Sequence, residues 1–421
     1  YFGDVVLATK TLTNPNEAFD LVRSPQADVY KQILADLADA SKMLPVKAAL
    51  KGRATQGAAL SLLGKVYLTQ KNYAAASSTL KQVTSLGYAL NANYKDNFDP
   101  AKKNSAEHVF SVQMTVNDGT GAANANSGDA LNFPYGDGAS GSLTGCCGFF
   151  QPSFTLANIF KVDANGLPML NDEFYTNPLK NDQGISADKP FTPDNTTPLD
   201  PRIDWTVGRR GVPYLDWGIM PGSTWVRDQG SAGPYEPLKH LFRKSQIGVF
   251  TDGSSWTNGF TANNYPLLRF ADVLLLAAEA EVETGGLEKA REYVNLVRAR
   301  AANPDGFVGP KNNAGLVSPT NYQIKTYTAA WTDAAVARKA VRFERRLELA
   351  MEGHRFSDLT RWGQGVTELN TYAVKEAELG YGQIKGATYK AGKSEYLPIP
   401  QTQIDKSVKD GKSVLTQNPG Y

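Results

Sequence analysis

The stretch ATQGAALSLLGKVYLTQKNYAAASSTLKQVTSLG, residues 54–87, decides the fold of this 421-residue chain. Apolar and small side chains recur every three or four residues on both sides of a short polar segment, Gln70 to Asn72. This pattern predicts two helices joined by a tight turn. The positions that carry it are Leu60, Leu63, Gly64, Tyr67, Ala76, Leu80 and Val83. A helical hairpin of this kind buries its apolar face only by stacking on another.

The spacing is that of tetratricopeptide units, although Leu60 stands where the pattern usually has Trp. A second unit is predicted in residues 265–301, where Gly285 and Gly286 supply the C-cap of its first helix. The repeated positions are Leu276, Ala277, Ala280, Ala290, Val294 and Val297. A further amphipathic helix is predicted from residue 28 to residue 43. The sequence therefore predicts a mostly α fold, a tetratricopeptide-like hairpin scaffold with long irregular loops and a few short strands.

The stretch RFERRLELAMEGHRFSDLTRWG, residues 342–363, holds nine charged side chains and a histidine. An apolar stripe predicts a helix over residues 336–352, ended by Gly353, and a short helix beyond it that carries Trp362. Charges three and four residues apart predict ion pairs along the helix, worth about 0.2–0.5 kcal/mol each. Those charges are Glu344, Arg345, Glu348 and Glu352. Because the signs alternate, we interpret this stretch as structural and not as a phosphate site.

Residues 116–264 separate the two helical blocks and are rich in Gly, Asn, Pro, Ser and Asp. A loop region of this length in a compact protein usually binds something. It also holds four of the six tryptophans, Trp205, Trp217, Trp225 and Trp256. Each of these rings either fixes the loops to the helices or offers a flat surface to a ligand. We expect Trp205 to be structural and the set as a whole to mark a ligand site.

The candidate ligand-binding residues combine aromatic rings with neighbouring polar side chains. Rings stack on apolar faces of a ligand, while carboxylate, guanidinium and amide groups form directional hydrogen bonds. The predicted site residues are Phe149, Phe150, Tyr214, Asp216, Trp217, Trp225, Arg227, Trp256 and Asn258.

The only two cysteines, Cys146 and Cys147, are adjacent and lie just before Phe149. A disulfide between neighbours is strained, because successive Cα atoms are about 3.8 Å apart, below the usual disulfide range. Two small buried thiols are the alternative. Either state leaves the loop able to present a stiff apolar surface.

Composition and motifs exclude several classes of protein. Lys and Arg exceed Asp and Glu by two, so no overall field attracts nucleic acid. The three histidines stand far apart with no ligand spacing around them, and GATYKAGKS has five residues between its glycines where a phosphate loop has four. We therefore predict no catalytic residue, metal or cofactor, and no transmembrane span.

Several stretches, in order along the whole chain, resemble the SusD/RagB family of Bacteroidetes outer-membrane nutrient-binding lipoproteins. They are QPSFTLANIFKVDANGLP, DPRIDWTVGRRGVPYLDWG, NYPLLRFADVLLLAAEAEVETGGLEKAREYVNLVRARA, ERRLELAMEGHRFSDLTRWG and YLPIPQTQIDKSVKDGKSVLTQNPGY. The resemblance implies a non-catalytic protein, lipid-anchored at the cell surface, that captures oligosaccharides for a SusC-like TonB-dependent transporter. It also leaves open a peptide ligand, as in RagB, or a structural lid of low affinity.

The resemblance implies one SusD-like domain over residues 1–421. Residues 1–115 and 265–363 are the helical scaffold, 116–264 the loop-rich ligand-binding region, and 364–421 a C-terminal tail packed on the scaffold. YFGDVVL at the start is similar to an element that follows the first helical pair of the family. We therefore expect that pair and the acylated N-terminal cysteine, the only membrane contact that we predict, to be missing from this chain.

Overall fold

The computed structural model describes residues 1–11, 13, 22–136, 143, 145, 147–254, 256–257 and 259–421. In these ranges the α-helices are α1 Gln26–Met43, α2 Gln56–Thr69, α3 Tyr73–Val83, α4 Ser127–Leu131, α5 Phe154–Asn158, α6 Gln229–Ala232, α7 Phe270–Glu283, α8 Leu287–Ala301, α9 Ala334–Glu348, α10 Arg355–Trp362, α11 Gly365–Leu379 and α12 Gln401–Lys406. None of them combines the length and apolar content needed to cross a membrane. The fold is mostly helical, as predicted.

The strands are short and pair in antiparallel twos, β1 with β6, β2 with β3, β4 with β5 and β7 with β8. Their bounds are β1 His108–Val112, β2 Val207–Gly208, β3 Glu236–Pro237, β4 Thr251–Asp252, β5 Phe260–Thr261, β6 Tyr265–Arg269, β7 Val408–Lys409 and β8 Lys412–Ser413. The β1–β6 pair matters most, because it closes the loop region: the chain enters that region after β1 and leaves it through β6 into α7.

The first predicted hairpin is confirmed as α2 and α3, with the turn between them where the sequence placed it. Thr55 and Asn72 cap the two helices, because their side chains accept backbone N–H groups of the first turn. A Cβ added to Gly64 would lie 2.5 Å from Cγ of Leu80. The two helices are therefore in contact at a point that leaves no space for any side chain.

The second hairpin is confirmed as α7 and α8, with Gly285 between them in the left-handed region at φ +89°. Helix α7 lies at the centre of the main core, since it packs on α3, α8 and α9. Every residue of α7 except the last is buried. The stacked hairpins thus form the rigid body on which the loops are fixed.

The prediction for the charged stretch was wrong in two respects. Helix α9 ends at Glu348, four residues before the predicted end, and Met351 and Gly353 then adopt positive φ. The charged side chains are also buried, and they form ion pairs with residues of other elements and not with one another along one face of the helix. Arg345, for example, binds Asp272 of α7 at 2.7 Å and Asp358 of α10 at 3.1 Å.

These buried ion pairs also join the loop region to the scaffold. Arg202, which lies in the loop region, contacts Glu344 at 2.7 Å and Glu348 at 3.0 Å on α9. Glu348 in turn accepts hydrogen bonds from Arg269 and Arg300. A buried charge that lost its partner would be strongly unfavourable, so this network fixes one arrangement of loops on helices.

Residues 364–421, predicted as a tail, contain the 15-residue helix α11, the short helix α12 and the β7–β8 pair. The side chain of Glu376 on α11 accepts the backbone N–H of Phe154 at 3.1 Å. This segment therefore contacts the start of α5 in the loop region. The division of the chain into the four predicted segments stays a prediction.

Candidate ligand-binding site

The tryptophan of the loop region that we expected to be structural is confirmed as such. Trp205 is buried, and its Nε1 donates a hydrogen bond of 2.7 Å to the carbonyl of Gly306. It belongs to an apolar cluster beneath the loops that also contains Phe133, Tyr214 and Phe242. This cluster supports the surface above it.

Three of the predicted site residues lie in or against this cluster. Tyr214 is fully buried, and its hydroxyl donates to the carbonyl of Pro237. The half-buried Trp217 donates from Nε1 to the carbonyl of Phe242 at 3.0 Å, and Trp225 packs edge-on against Tyr214 at 5.4 Å. A ring without exposed surface does not stack on a ligand, so we leave Tyr214 out of the proposed site.

Asp216 has a clear local role in the structure. Its carboxylate accepts the backbone N–H of Lys244 at 2.6 Å, and both the N–H and the hydroxyl of Ser245 at 3.0 and 2.9 Å. These bonds fix the short helical turn that begins at Lys244. The oxygens are therefore already engaged by the protein's own donors.

Several aromatic side chains of the loop region are exposed to solvent. Phe149 and Phe150 expose 48% and 52% of their surface, Trp256 exposes 60%, and Tyr135 exposes 44%. Exposed rings that lie together in one patch are typical of binding surfaces, whereas single exposed rings are common on any protein. Tyr135 was not predicted, because a single Tyr in a Gly-rich loop has no distinguishing signal in the sequence.

Arg227 joins two of these rings into one surface. Its guanidinium lies 4.9 Å from the centre of the Phe149 ring and 5.5 Å from that of Tyr135. Nη1 also donates a hydrogen bond of 2.8 Å to the carbonyl of Cys147. We call the surface formed by Tyr135, Phe149, Arg227 and Trp256 the aromatic platform.

Backbone hydrogen bonds hold the loops of the platform together. The N–H of Phe149 donates to Leu131 at 3.0 Å, and that of Tyr135 donates to Trp225 at 2.9 Å. Gly148 has φ +64°, and a Cβ there would lie 2.9 Å from Cβ of Arg227. Only glycine allows both this backbone conformation and this close approach.

Trp256 lies at the same rim. Its ring packs edge-on against Phe260 of β5 at 5.8 Å. The next residue, Thr257, approaches Gly145. A Cβ added to Gly145 would lie 3.3 Å from the hydroxyl oxygen of Thr257. Gly145 forms a β-bridge with Tyr135, which places the Trp256 loop beside the rest of the platform.

Two predicted features fall on residues outside the described ranges. Asn258 is one of them, and its part in the site stays a prediction. Cys146 is the other, so both readings of the adjacent cysteines stay open. The carbonyl of Cys147 nevertheless has a defined role, since it orients Arg227.

A carboxyl group is buried where α4 packs against β5. Asp129 of α4 accepts hydrogen bonds from the Thr261 hydroxyl at 2.8 Å and from the amide of Asn263 at 3.3 Å. Burial raises its pKa to about 8, although these two hydrogen bonds act in the opposite direction. Asp129 therefore carries a proton at neutral pH. In the described part of the chain no group of His, Cys, Asp and Glu is arranged to hold a metal ion.

The fold and the exposed rings define a helical scaffold protein with a loop-borne aromatic surface, and comparison with known proteins gives the family. The SusD family model matches residues 106–421, and a model described as starch-binding associating with outer membrane matches residues 1–68. The chain belongs to the SusD family.

Curated relatives include two proteins of Formosa agariphila. SusD-like protein P2 is 22% identical over all of this chain and 70% of its own length. SusD-like protein P25 is 25% identical over 74% of this chain and half of its own length.

Solved structures with the same fold include three SusD-like proteins. Each alignment covers all of this chain and 74% of the other protein's chain. A SusD superfamily protein from Bacteroides vulgatus is 23% identical with a TM-score of 0.67. Surface glycan-binding protein A from Bacteroides fluxus is 20% identical with a TM-score of 0.65. A laminarin-binding SusD-like protein is 24% identical with a TM-score of 0.58.

Proposed function

We propose that this chain is a non-catalytic glycan-binding protein of the outer-membrane surface. It captures oligosaccharides on the aromatic platform and delivers them to a SusC-like TonB-dependent transporter. The observation that carries the proposal is the set of exposed rings in the platform, two of which, Phe149 and Tyr135, lie against Arg227. Sugar rings present apolar C–H faces that stack on aromatic rings, and the free N–H groups of a guanidinium hydrogen-bond to hydroxyls.

The comparisons support the glycan part of this proposal. Two proteins of the same fold are described as laminarin-binding and surface glycan-binding. The description of the model that matches residues 1–68 supports an outer-membrane location. Attachment through a lipid anchor, delivery to a transporter and the absence of catalysis are inferred from the family resemblance.

Isothermal titration against a panel of oligosaccharides and, separately, against peptides tests the ligand class. We expect saturable binding of at least one oligosaccharide and no turnover of it. Binding of peptides alone would favour the RagB-like alternative, binding of neither would favour a structural lid, and hydrolysis of a bound glycan would contradict a non-catalytic role.

Purification of the native protein from detergent-solubilised outer membrane tests the partner. A lid must cover its transporter with a broad face, and long-lived interfaces commonly bury about 2,000 Å² or more. We expect a TonB-dependent barrel to co-purify. Recovery of the protein only as a free monomer would contradict the proposed partnership.

A further inference from the structure

A second surface feature lies on the scaffold, along the outer side of α9. It is a cavity of about 460 Å³ with five cationic and two acidic side chains in its lining, an excess of three positive charges. We call it the cationic groove and define it by Arg338, Lys339, Arg342, Arg346 and Arg355.

The arrangement of the cations follows from helix geometry. Arg338, Arg342 and Arg346 stand four residues apart on α9, so they share one face at intervals of about 6 Å along the helix. Like charges at this spacing repel each other and destabilise a helix. A bound anion would relieve that repulsion.

The cations at the two ends of the groove already have partners. Arg338 pairs with Glu283, and its Nη2 lies 2.8 Å from a carboxylate oxygen. Arg355 pairs with Glu368 at 2.9 Å. Lys339 donates a hydrogen bond of 2.7 Å to the side-chain oxygen of Asn171.

The two central arginines differ, because they stack on rings and make no ion pair within the described ranges. The Arg342 guanidinium lies 4.6 Å from the centre of the Trp362 ring, and that of Arg346 lies 5.3 Å from the centre of the Phe174 ring. Nε of Arg342 is buried and has no hydrogen-bond partner. Stacking fixes the plane of a guanidinium while it leaves the in-plane N–H donors available, which suits a planar or tetrahedral oxyanion.

Burial and mutual repulsion act on the cations of the groove. Burial lowers the pKa of Arg342, attraction to Glu279 and Glu283 opposes this change, and repulsion from Arg338 and Arg361 adds to it. Burial and repulsion from Arg346 lower the pKa of Arg355 to about 9, despite the attraction of Glu368. In the lining of the groove itself, the five cations outnumber the two carboxylates.

The groove shares part of its lining with a second cavity, which contains Phe150, the chain neighbour of Phe149 in the aromatic platform. That neighbouring cavity, of about 370 Å³, is lined by Phe150 and by apolar side chains that include Leu156, Met351 and Tyr372. Arg346, Arg355 and Glu368 line both cavities. A ligand in this second cavity that reaches Phe150 would therefore also lie beside Arg346 and Arg355.

We propose that the cationic groove is an anion-binding site that takes the sulfate or carboxylate group of an acidic glycan. The anion site stands on the groove itself, whereas its assignment to a glycan rests on the proposed function. The exposed ring of Phe150 in the adjoining cavity favours a glycan over an acidic protein segment, because the apolar faces of sugars stack on aromatic rings.

Binding of inorganic sulfate to the purified protein tests the site without any glycan. We expect saturable binding in low-salt buffer, weakened about tenfold or more in both Arg342→Gln and Arg346→Gln, because each removes a charge-assisted donor. Lys375→Gln is the matched control, since Lys375 is an exposed cation of α11 paired with Glu378. No saturable binding, or equal weakening in all three variants, would overturn the anion site.

A second titration identifies the source of the anion. A sulfated oligosaccharide, an oligogalacturonate and a polyglutamate peptide are each compared with a neutral oligosaccharide. We expect at least one acidic glycan to bind about tenfold more tightly than the neutral one, with the advantage lost in Arg342→Gln and Arg346→Gln. Equal affinity for acidic and neutral glycans, or tightest binding of the peptide, would overturn the glycan assignment. Sulfate binding without any glycan binding would instead contradict the proposed function and leave the anion site intact.

Discussion

Arg227 lies with its guanidinium 4.9 Å from the centre of the Phe149 ring, and the carbonyl of Cys147 fixes its orientation through a hydrogen bond of 2.8 Å. An exposed contact of this kind is worth only about 0.5–1 kcal/mol. Its main consequence is preorganisation, because two loops and a cation are ordered before any ligand arrives. A ligand that binds such a surface loses less free energy to ordering the side chains.

The half-buried tryptophans beneath the platform should stabilise the fold more than they contribute to binding. Trp217→Ala removes a ring that packs on Phe242 and a hydrogen bond to its carbonyl. We expect the free energy of unfolding, measured with denaturant, to fall by about 3 kcal/mol. Trp256→Ala, which removes an exposed ring, is the control and should change it little. A stable Trp217→Ala variant with lost ligand affinity would show that this ring faces the ligand.

Gly64→Leu should destabilise the scaffold. A Cβ at this position already overlaps Leu80, at 2.5 Å from Cγ, and overpacking typically costs about 1–3 kcal/mol or more. We expect a clearly lower melting temperature by calorimetry. Leu62→Ala changes an exposed side chain of the same helix and should melt close to the wild type. An unchanged melting temperature in Gly64→Leu would contradict the packing of α2 on α3.

Glu348→Gln tests the buried ion pairs. Burial alone would raise the pKa of Glu348, but attraction to Arg300, Arg269 and Arg202 outweighs it and lowers the pKa to about 2. Removal of the charge leaves these arginines underpaired, so we expect the free energy of unfolding to fall by about 3–5 kcal/mol. Glu378→Gln, at an exposed ion pair, should change it by less than about 1 kcal/mol. Equal effects would show that burial of the network matters little.

Asp129→Asn should alter how stability depends on pH. Burial raises the pKa of Asp129 to about 8 in the folded protein, against 3.8 for an ordinary Asp. Between these values the unfolded chain releases the proton while the folded chain keeps it. Stability from this group therefore falls as pH rises from about 4 to about 8.

Asn stays neutral at every pH. The melting temperature of the variant should therefore rise relative to that of the wild type as the pH increases from about 4 to about 8. Burial also raises the pKa of Glu236, which contributes with the same sign in both proteins and cancels in the comparison. A difference in melting temperature that is constant between pH 4 and pH 8 would contradict the buried, protonated state of Asp129.

The hairpins were predictable because their pattern is local. The residues that define each hairpin, such as Gly64 and Leu80 in the first and Gly285 in the second, are separated by only a few tens of residues in the sequence. The ion pairs of α9 were not predictable, because the partners of its charged residues lie far away in the sequence. Arg202, for example, contacts Glu348, which is 146 residues further along the chain. Charges three and four apart look the same in sequence whether they face water or a buried network.

The site was predictable as a region but not residue by residue. Tyr214 and Phe149 are both aromatic loop residues, yet the first is fully buried and the second is half exposed. The difference arises from how the loops pack over one another, and no local sequence pattern encodes which ring that packing buries. Tyr135 was missed for the same reason, since only its contact with Arg227 identifies it.

The affinity of Phe149→Ala for the glycan that the wild type binds, measured by isothermal titration together with the melting temperature, tests the platform most directly. Removal of a ligand-facing ring at the centre of a site costs about 2 kcal/mol or more of binding. We predict that loss with a melting temperature within about 1–2 °C of the wild type, because Phe149 is half exposed and its removal should cost little stability. Tyr421→Ala, at an equally exposed ring of the C-terminus, should bind as the wild type does. Wild-type affinity in Phe149→Ala would contradict the assignment of the platform as the ligand site.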